Sequence, residues 1–295
     1  MNTKRCLLCQ GETFYTVAKI QKYDLSMCTK CTFLSLYPLP TEEELQRYYT
    51  AQYRTQISSA EAVSSTILAA EQARSDRIIP LVRLHASKIK NCLDIGCSTG
   101  TLLKNINDGF GKEVECHGLE FNDNYRKYAV SKAHISADEY AYNMPIEQLH
   151  FENKISFDFI SLVHVLEHMR NPLSALESIW GLLSDDGLFY IEVPNLKTPY
   201  GSLKKNYFTI YHLHYFSDKT LRQFLNKCGF EVLETKVQAR TSISFLCKKA
   251  ISQEEFGEND SYKDLVKRLR IYEMVYPFKN TVFVIARYFY RKVFK

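Results

Sequence analysis

Four cysteines near the N-terminus form two knuckles, Cys6-Leu-Leu-Cys9 and Cys28-Thr-Lys-Cys31, with 18 residues between them. Each tight turn offers two thiolates, and two such turns complete a tetrahedral S4 set suited to Zn²⁺, with iron the other ion that takes this geometry. Thiolates fill all four positions, so the metal expected on Cys6, Cys9, Cys28 and Cys31 is structural. Cys92, Cys97, Cys116, Cys228 and Cys247 stand singly in hydrophobic segments and read as small core residues. A second group begins at Leu93-Asp94-Ile95-Gly96-Cys97-Ser98-Thr99-Gly100, a glycine-bearing turn after a short apolar run. Glycines let the backbone turn sharply and approach a ligand at the carboxyl end of a strand. Glu120 follows 20 residues after Gly100, where a carboxylate can accept both hydrogen bonds of a ribose diol. Asp94 immediately before the turn would repel a pyrophosphate and suits a cofactor with a cationic end.

Two further groups carry histidine. His164-Val-Leu-Glu-His168 matches H-x-x-E-H, a zinc-peptidase pattern that needs one continuous helix. Asn171-Pro172 follows too closely for that helix, and Glu167 and His168 read as polar residues at a helix start. In Tyr207–Ser217, His212 and His214 are neutral near pH 7 and able to accept a proton, although the segment reads equally as a structural loop of packed aromatics.

The elements that position these groups alternate. Strands are expected at 92–95, 114–119, 157–162, 188–193, 230–237 and 242–248, and helices at 101–107, 123–132, 172–183 and 217–227. Such alternation implies crossover connections and a mainly parallel sheet with helices on both faces, closed by an antiparallel hairpin at one edge. Phe14–Ile20 is strand-like and suits a ribbon too small to fold without metal. Thr41 and Glu44 open a helix as a capping box, and 58–85 reads as further helix with a break near Pro80. The expected organisation is a zinc ribbon over 1–40, a helical connector over 41–90, the α/β domain over 91–250 and a tail over 251–295.

With 295 residues, 45% hydrophobic and 24% charged, the chain is neither disordered nor fibrous. No apolar run approaches the roughly 20 residues of a spanning helix, and no apolar stretch follows Met1, so a cytoplasmic protein is expected. The net charge is +5, but 261–295 hold nine Lys/Arg against two Asp/Glu, or +7, leaving 1–260 at −2. The body is therefore not a nucleic-acid binder by charge. The tail has eight aromatics among residues 271–295, interleaved with Lys279, Arg287, Arg291, Lys292 and Lys295. It suits packing on the domain or a partner subunit, an anionic membrane face, or an RNA arm.

Residues 93–100, Gly118-Leu-Glu120, 157–168 with Asn171-Pro172, and 182–195 resemble the ordered motifs of class I S-adenosylmethionine-dependent methyltransferases over 91–248. The resemblance implies a Rossmann-like, seven-stranded, mostly parallel sheet with S-adenosylmethionine as cofactor. It implies that Asp94, Gly96, Cys97 and Gly100 cradle the methionine part, Glu120 binds the ribose, Asp138 contacts the adenine, and Val163 and His164 line the pocket floor. Ser98 stands where a third glycine is common. The ribbon, the Pro-x-Pro-Thr-Glu-Glu-Glu-Leu run and the 207–217 segment are similar to a bacterial subgroup that includes sugar-nucleotide C-methyltransferases. That similarity implies a nucleotide sugar or glycan precursor as acceptor, with His212 as the base and Tyr53 closing over the cofactor. Tyr211 stands where those enzymes carry a glutamate beside the histidine, and the chain ends before their further C-terminal domain, so O- or N-methylation is as well supported as C-methylation. An RNA methyltransferase and a non-catalytic scaffold are the rival readings.

Overall fold

The computed structural model describes residues 4–45, 47, 63–111, 113–132, 134–152, 155–238, 241–250 and 260–293, with side chains of the last helix to Pro277. Tyr53 lies outside the described residues. Seven strands form the larger sheet: β4 (Asn91–Ile95), β5 (Glu115–Leu119), β6 (Ala141–Tyr142), β7 (Phe157–Val163), β8 (Leu183–Pro194), β10 (Phe230–Gln238) and β11 (Ser242–Lys249). Their order is β10-β11-β8-β7-β4-β5-β6. β8, β7, β4, β5 and β6 pair in parallel, and β11 pairs antiparallel with both neighbours. The expected α/β, mostly parallel architecture with an edge hairpin is what the chain adopts.

The local signals explain most of the helices. Ser64 caps the helix Ser65–Arg83 by accepting from the Ile67 N–H, and the helix carries Pro80 within it. Asn171 caps Pro172–Leu182 with Pro in the first turn. Ser217 and Thr220 form a reciprocal capping box on Asp218–Lys227. The elements not anticipated include the two-residue strand β6 and the seven-residue helix Ile146–Glu152. Both are too short to show a period in sequence. β8 also begins at Leu183, because the backbone runs straight from the preceding helix into the sheet.

The N-terminal strands β1 (Phe14–Ile20), β2 (Tyr23–Cys28) and β3 (Leu34–Tyr37) form an antiparallel sheet, and a fourth strand, β9 (His214–Tyr215), comes from the far end of the chain. Phe33 stands between the two parts, its ring 4.8 Å from Phe224, 5.4 Å from His214 and 5.6 Å from Phe216. Cys6, Leu8, Cys28, Cys31 and Phe33 share one buried cluster with the interior of the large sheet. A second cluster joins Leu25, Met27, Leu34 and Leu36 to Leu213, Tyr215 and the start of the last helix, Tyr262–Val293. That helix buries Leu265, Val266 and Leu269, and Glu273 accepts from the Leu203 N–H at 2.8 Å. Among the described residues, no helix is long and apolar enough to cross a membrane.

Shared burial should make the N-terminal sheet and the α/β domain unfold as one cooperative unit. Phe33→Ala should lower the unfolding free energy by about 3–5 kcal/mol, in a single transition of both parts under urea. An unchanged midpoint for the α/β domain would show that the two fold separately.

Candidate functional site

The chain runs from β4 outward to β5 and β6, then returns to place β7 on the other side of β4. This reversal opens a crevice beyond the carboxyl end of β4, the expected ligand position in an open α/β sheet. The loop after β4 fills its rim. Gly96 (φ 75°), Ser98 (φ 49°) and Gly100 (φ 74°) all take left-handed backbone conformations, which Gly adopts freely and a small Ser tolerates. A Cβ at Gly96 would lie 2.4 Å from Val165 Cγ2, and one at Gly100 would lie 2.8 Å from His134 Cβ.

The loop is tied to the end of β5. The Gly96 and Cys97 amides donate to the Leu119 carbonyl at 2.7 and 3.1 Å. The Glu120 carboxylate accepts from the Ser98 N–H at 3.0 Å and the Asn122 N–H at 2.7 Å. Two amides leave a carboxylate with further lone pairs to offer. Burial raises the Glu120 pKa against the opposing amides of Asn122 and Ser98. Asp94, 5% exposed, accepts from Ser161 Oγ at 2.7 Å. Burial pushes its pKa up to about 7, with Ser161 opposing and Glu71 adding to the rise.

The predicted residues Asp94, Gly96, Cys97, Gly100 and Glu120 thus surround one loop. Val163 ends β7 opposite Glu192, and His164 follows with φ 56°. Asp138 lies on the short 3-10 turn Asp138–Tyr140 leading into β6, beside the end of β5. Sequence reasoning missed Glu71, which accepts from Thr99 Oγ1 out of the connector helix, and Phe121, 62% exposed beside Glu120. An apolar residue directly after the strand-ending acid was the available signal for Phe121.

Beyond β7 stands a second group. His164 Nε2 lies 3.2 Å from Glu192 and its Nδ1 3.6 Å from Glu167. Burial disfavours the His164 cation, but the two glutamates outweigh it and raise the pKa to about 9. Burial likewise opposes the Glu167 charge, and His164, His168 and His212 overcome it, holding the pKa at about 2. Glu167, His168 and His212 place ligand atoms within 4.8 Å of one another. His212 is 6% exposed, and burial drives its pKa down to about 4, leaving the ring neutral. Tyr211, the residue in the glutamate's place, stacks on His168 at 5.8 Å. Glu167 was read only as a polar residue at a helix start, because His212 lies 45 residues further on; Glu192 was missed although an acid inside the apolar run of β8 was a visible signal.

In the N-terminal module the four knuckle sulfurs converge within 4.8 Å of one another, with Cys6 to Cys31 at 3.4 Å and Cys9 to Cys28 at 3.5 Å. That spacing fits an S4 metal site. A cavity lined by Lys88, Asn91 and Glu115 opens at the amino ends of β4 and β5, away from all of these groups.

Gly96→Ala should cost about 1–3 kcal/mol from the left-handed backbone alone, plus the clash with Val165. Adding Val165→Ala should return the steric part, so the double mutant will be more stable than the sum of the single changes in a urea cycle. Strict additivity would place the cost elsewhere.

The chain is 31% identical over 115 residues to a ubiquinone biosynthesis O-methyltransferase of Glaesserella parasuis, covering 36% of this chain and 46% of that protein. It is 28% identical over 116 residues to a sphingolipid C9-methyltransferase of Komagataella phaffii, covering 36% and 23%. It thus spans less than half the length of either. The solved (4+2)-cyclase SpnF shares the fold at 15% identity with a TM-score of 0.50, over 73% of this chain and 99% of that one. The family model described as "Methyltransferase domain" matches residues 63–235, more than half of the sequence, and takes in both the loop around Glu120 and the turn at Glu167. The protein belongs to the methyltransferase-domain family.

Proposed function

We propose that the protein is an S-adenosylmethionine-dependent methyltransferase for a small-molecule acceptor, a nucleotide sugar or related glycan precursor methylated on oxygen, nitrogen or carbon. The observation that carries this reading is the pair of acids, buried Asp94 and half-buried Glu120, at the ends of adjacent strands around one glycine-bearing loop. These residues fit the cofactor: Glu120 has acceptor capacity for a ribose diol, and the buried Asp94 suits a cationic methionine end. Gly96, Cys97 and Gly100 would flank that end, Val163 and His164 would form the floor, Asp138 and Phe121 would face the adenine, and Tyr53 would close from the connector. When bound, the cofactor supplies an activated methyl group and its own leaving group.

The chain's residues then have to orient the acceptor, exclude water and receive a proton. His164, Glu167, His168 and His212 stand at the same sheet end as the loop and form the acceptor side. The relatives, one named for O- and one for C-methylation, support transfer to either atom. The −2 charge of residues 1–260 favours a small molecule over RNA. Part of the same reading is a cytoplasmic enzyme whose basic, aromatic tail is the segment able to touch an anionic membrane face, and a structural Zn²⁺ on Cys6, Cys9, Cys28 and Cys31.

Calorimetric titration with S-adenosylmethionine and S-adenosylhomocysteine tests the cofactor. Both should bind the wild type, and Asp94→Ala or Glu120→Ala should abolish binding in a folded protein; unchanged affinity in both variants would refute the pocket. Protonated Asp94 does not attract a cation, so S-adenosylmethionine affinity should rise with pH and level off above about 7. Well below that value it should fall by nearly tenfold per pH unit, and Asp94→Asn should flatten this profile.

Metal analysis tests the ribbon. Replacing Cys6 and Cys28 by Ser should remove one zinc per chain and lower the midpoint of the whole protein, because folding of so small a module depends on its metal.

A further inference from the structure

The Glu167 turn and the His212 loop leave an unusual set of buried groups unsatisfied. Glu167 is 1% exposed, and both its carboxylate oxygens lack a hydrogen-bond partner. Nδ1 of His212 is equally enclosed and equally without one. His168 Nδ1 lies 2.9 Å from the Tyr211 carbonyl. A carbonyl only accepts, so Nδ1 carries a proton, and Nε2 stands 3.7 Å from Glu167. Buried polar groups left without partners in this way require an ion or a water to satisfy them.

Resting on the assignment of this end of the sheet to the acceptor, we propose that Glu167, His168 and His212 form a site for a divalent transition-metal ion that binds an oxygen of the acceptor. Two imidazoles and a carboxylate select Zn²⁺, Fe²⁺, Co²⁺ or Mn²⁺ over Mg²⁺ or Ca²⁺, and three protein ligands leave positions open for substrate or water. The bond of His168 to a backbone carbonyl is the outer contact that ligating histidines usually make, fixing tautomer and ring plane. His164, between Glu167 and Glu192, positions the carboxylate in the same way. Metal–ligand bonds of about 2.0–2.2 Å would draw the three groups, now within 4.8 Å, closer together.

Such an ion lowers the pKa of a bound hydroxyl. The hydroxyl proton leaves to water. The oxygen lone pair forms the bond to the methyl carbon, while the electrons of the breaking carbon–sulfur bond go to sulfur, which becomes a neutral thioether. The glutamate missing beside His212 in sequence is replaced in space by Glu167.

The test is titration of the metal-stripped full-length protein with Co²⁺, followed by absorption spectroscopy and metal analysis. Two ions per chain are expected: one with strong thiolate charge-transfer bands from the cysteine knuckles, and one with only weak bands from nitrogen and oxygen ligands. Glu167→Gln and His212→Ala should each weaken the second ion at least tenfold and leave the thiolate bands untouched. One ion per chain in a protein that still binds S-adenosylmethionine would overturn the proposal and leave Glu167 and His212 as a metal-free pair. Retention of the second ion in both variants would overturn it equally. A second ion lost as expected in a protein that binds no S-adenosylmethionine would uphold the metal site while refuting the methyltransferase reading.

Discussion

The Glu167–His212 cluster of this protein depends on the backbone of one residue. Leu213 donates its N–H to the Glu167 carbonyl at 2.8 Å and receives the Leu36 N–H on its own carbonyl at 2.9 Å. One peptide segment therefore clamps the turn after β7 to the N-terminal sheet. His212 immediately before it and β9 immediately after it have no freedom to move independently of either. The pairing of β9 with β3, Leu34 with Tyr215 and Ser35 with His214, extends the clamp. The N-terminal sheet is thus tied to the turn at Glu167, and the Phe33 contacts join it to the core.

Burial makes this arrangement electrostatically exacting. Glu167 and Glu192 are almost fully enclosed, and an isolated buried carboxylate costs several kcal/mol. His164 spans the two acids, and Tyr190 donates its hydroxyl to Glu192 at 2.8 Å. The same low-polarity surroundings act on Asp94 and push its pKa up to about 7. The acids of both clusters are therefore tuned by one cause, exclusion of water. Their acids differ because histidines surround Glu167, whereas Asp94 has chiefly a serine hydroxyl.

Most of the α/β core was legible because its strands are long apolar runs and its helices carry local caps at Ser64, Asn171 and Ser217. Asp94, the glycines and Glu120 were legible because a turn of fixed length brings them together. β6 and the helix Ile146–Glu152 escaped because elements of two and seven residues carry no readable period. β9 escaped because two residues become a strand only when β3 offers its edge.

Local order along the chain determined the cysteine knuckles, the loop after β4 and the succession of strands and helices, since each is set by neighbours within about 20 residues. Tertiary structure alone decided that Glu167, 45 residues before His212 in sequence, is the carboxylate brought beside it. It also decided that the N-terminal sheet borrows a strand from residues 214–215. Both follow from a physical fact that no spacing records: groups distant along the chain interact only where packing brings them within reach of one hydrogen bond or one shared charge.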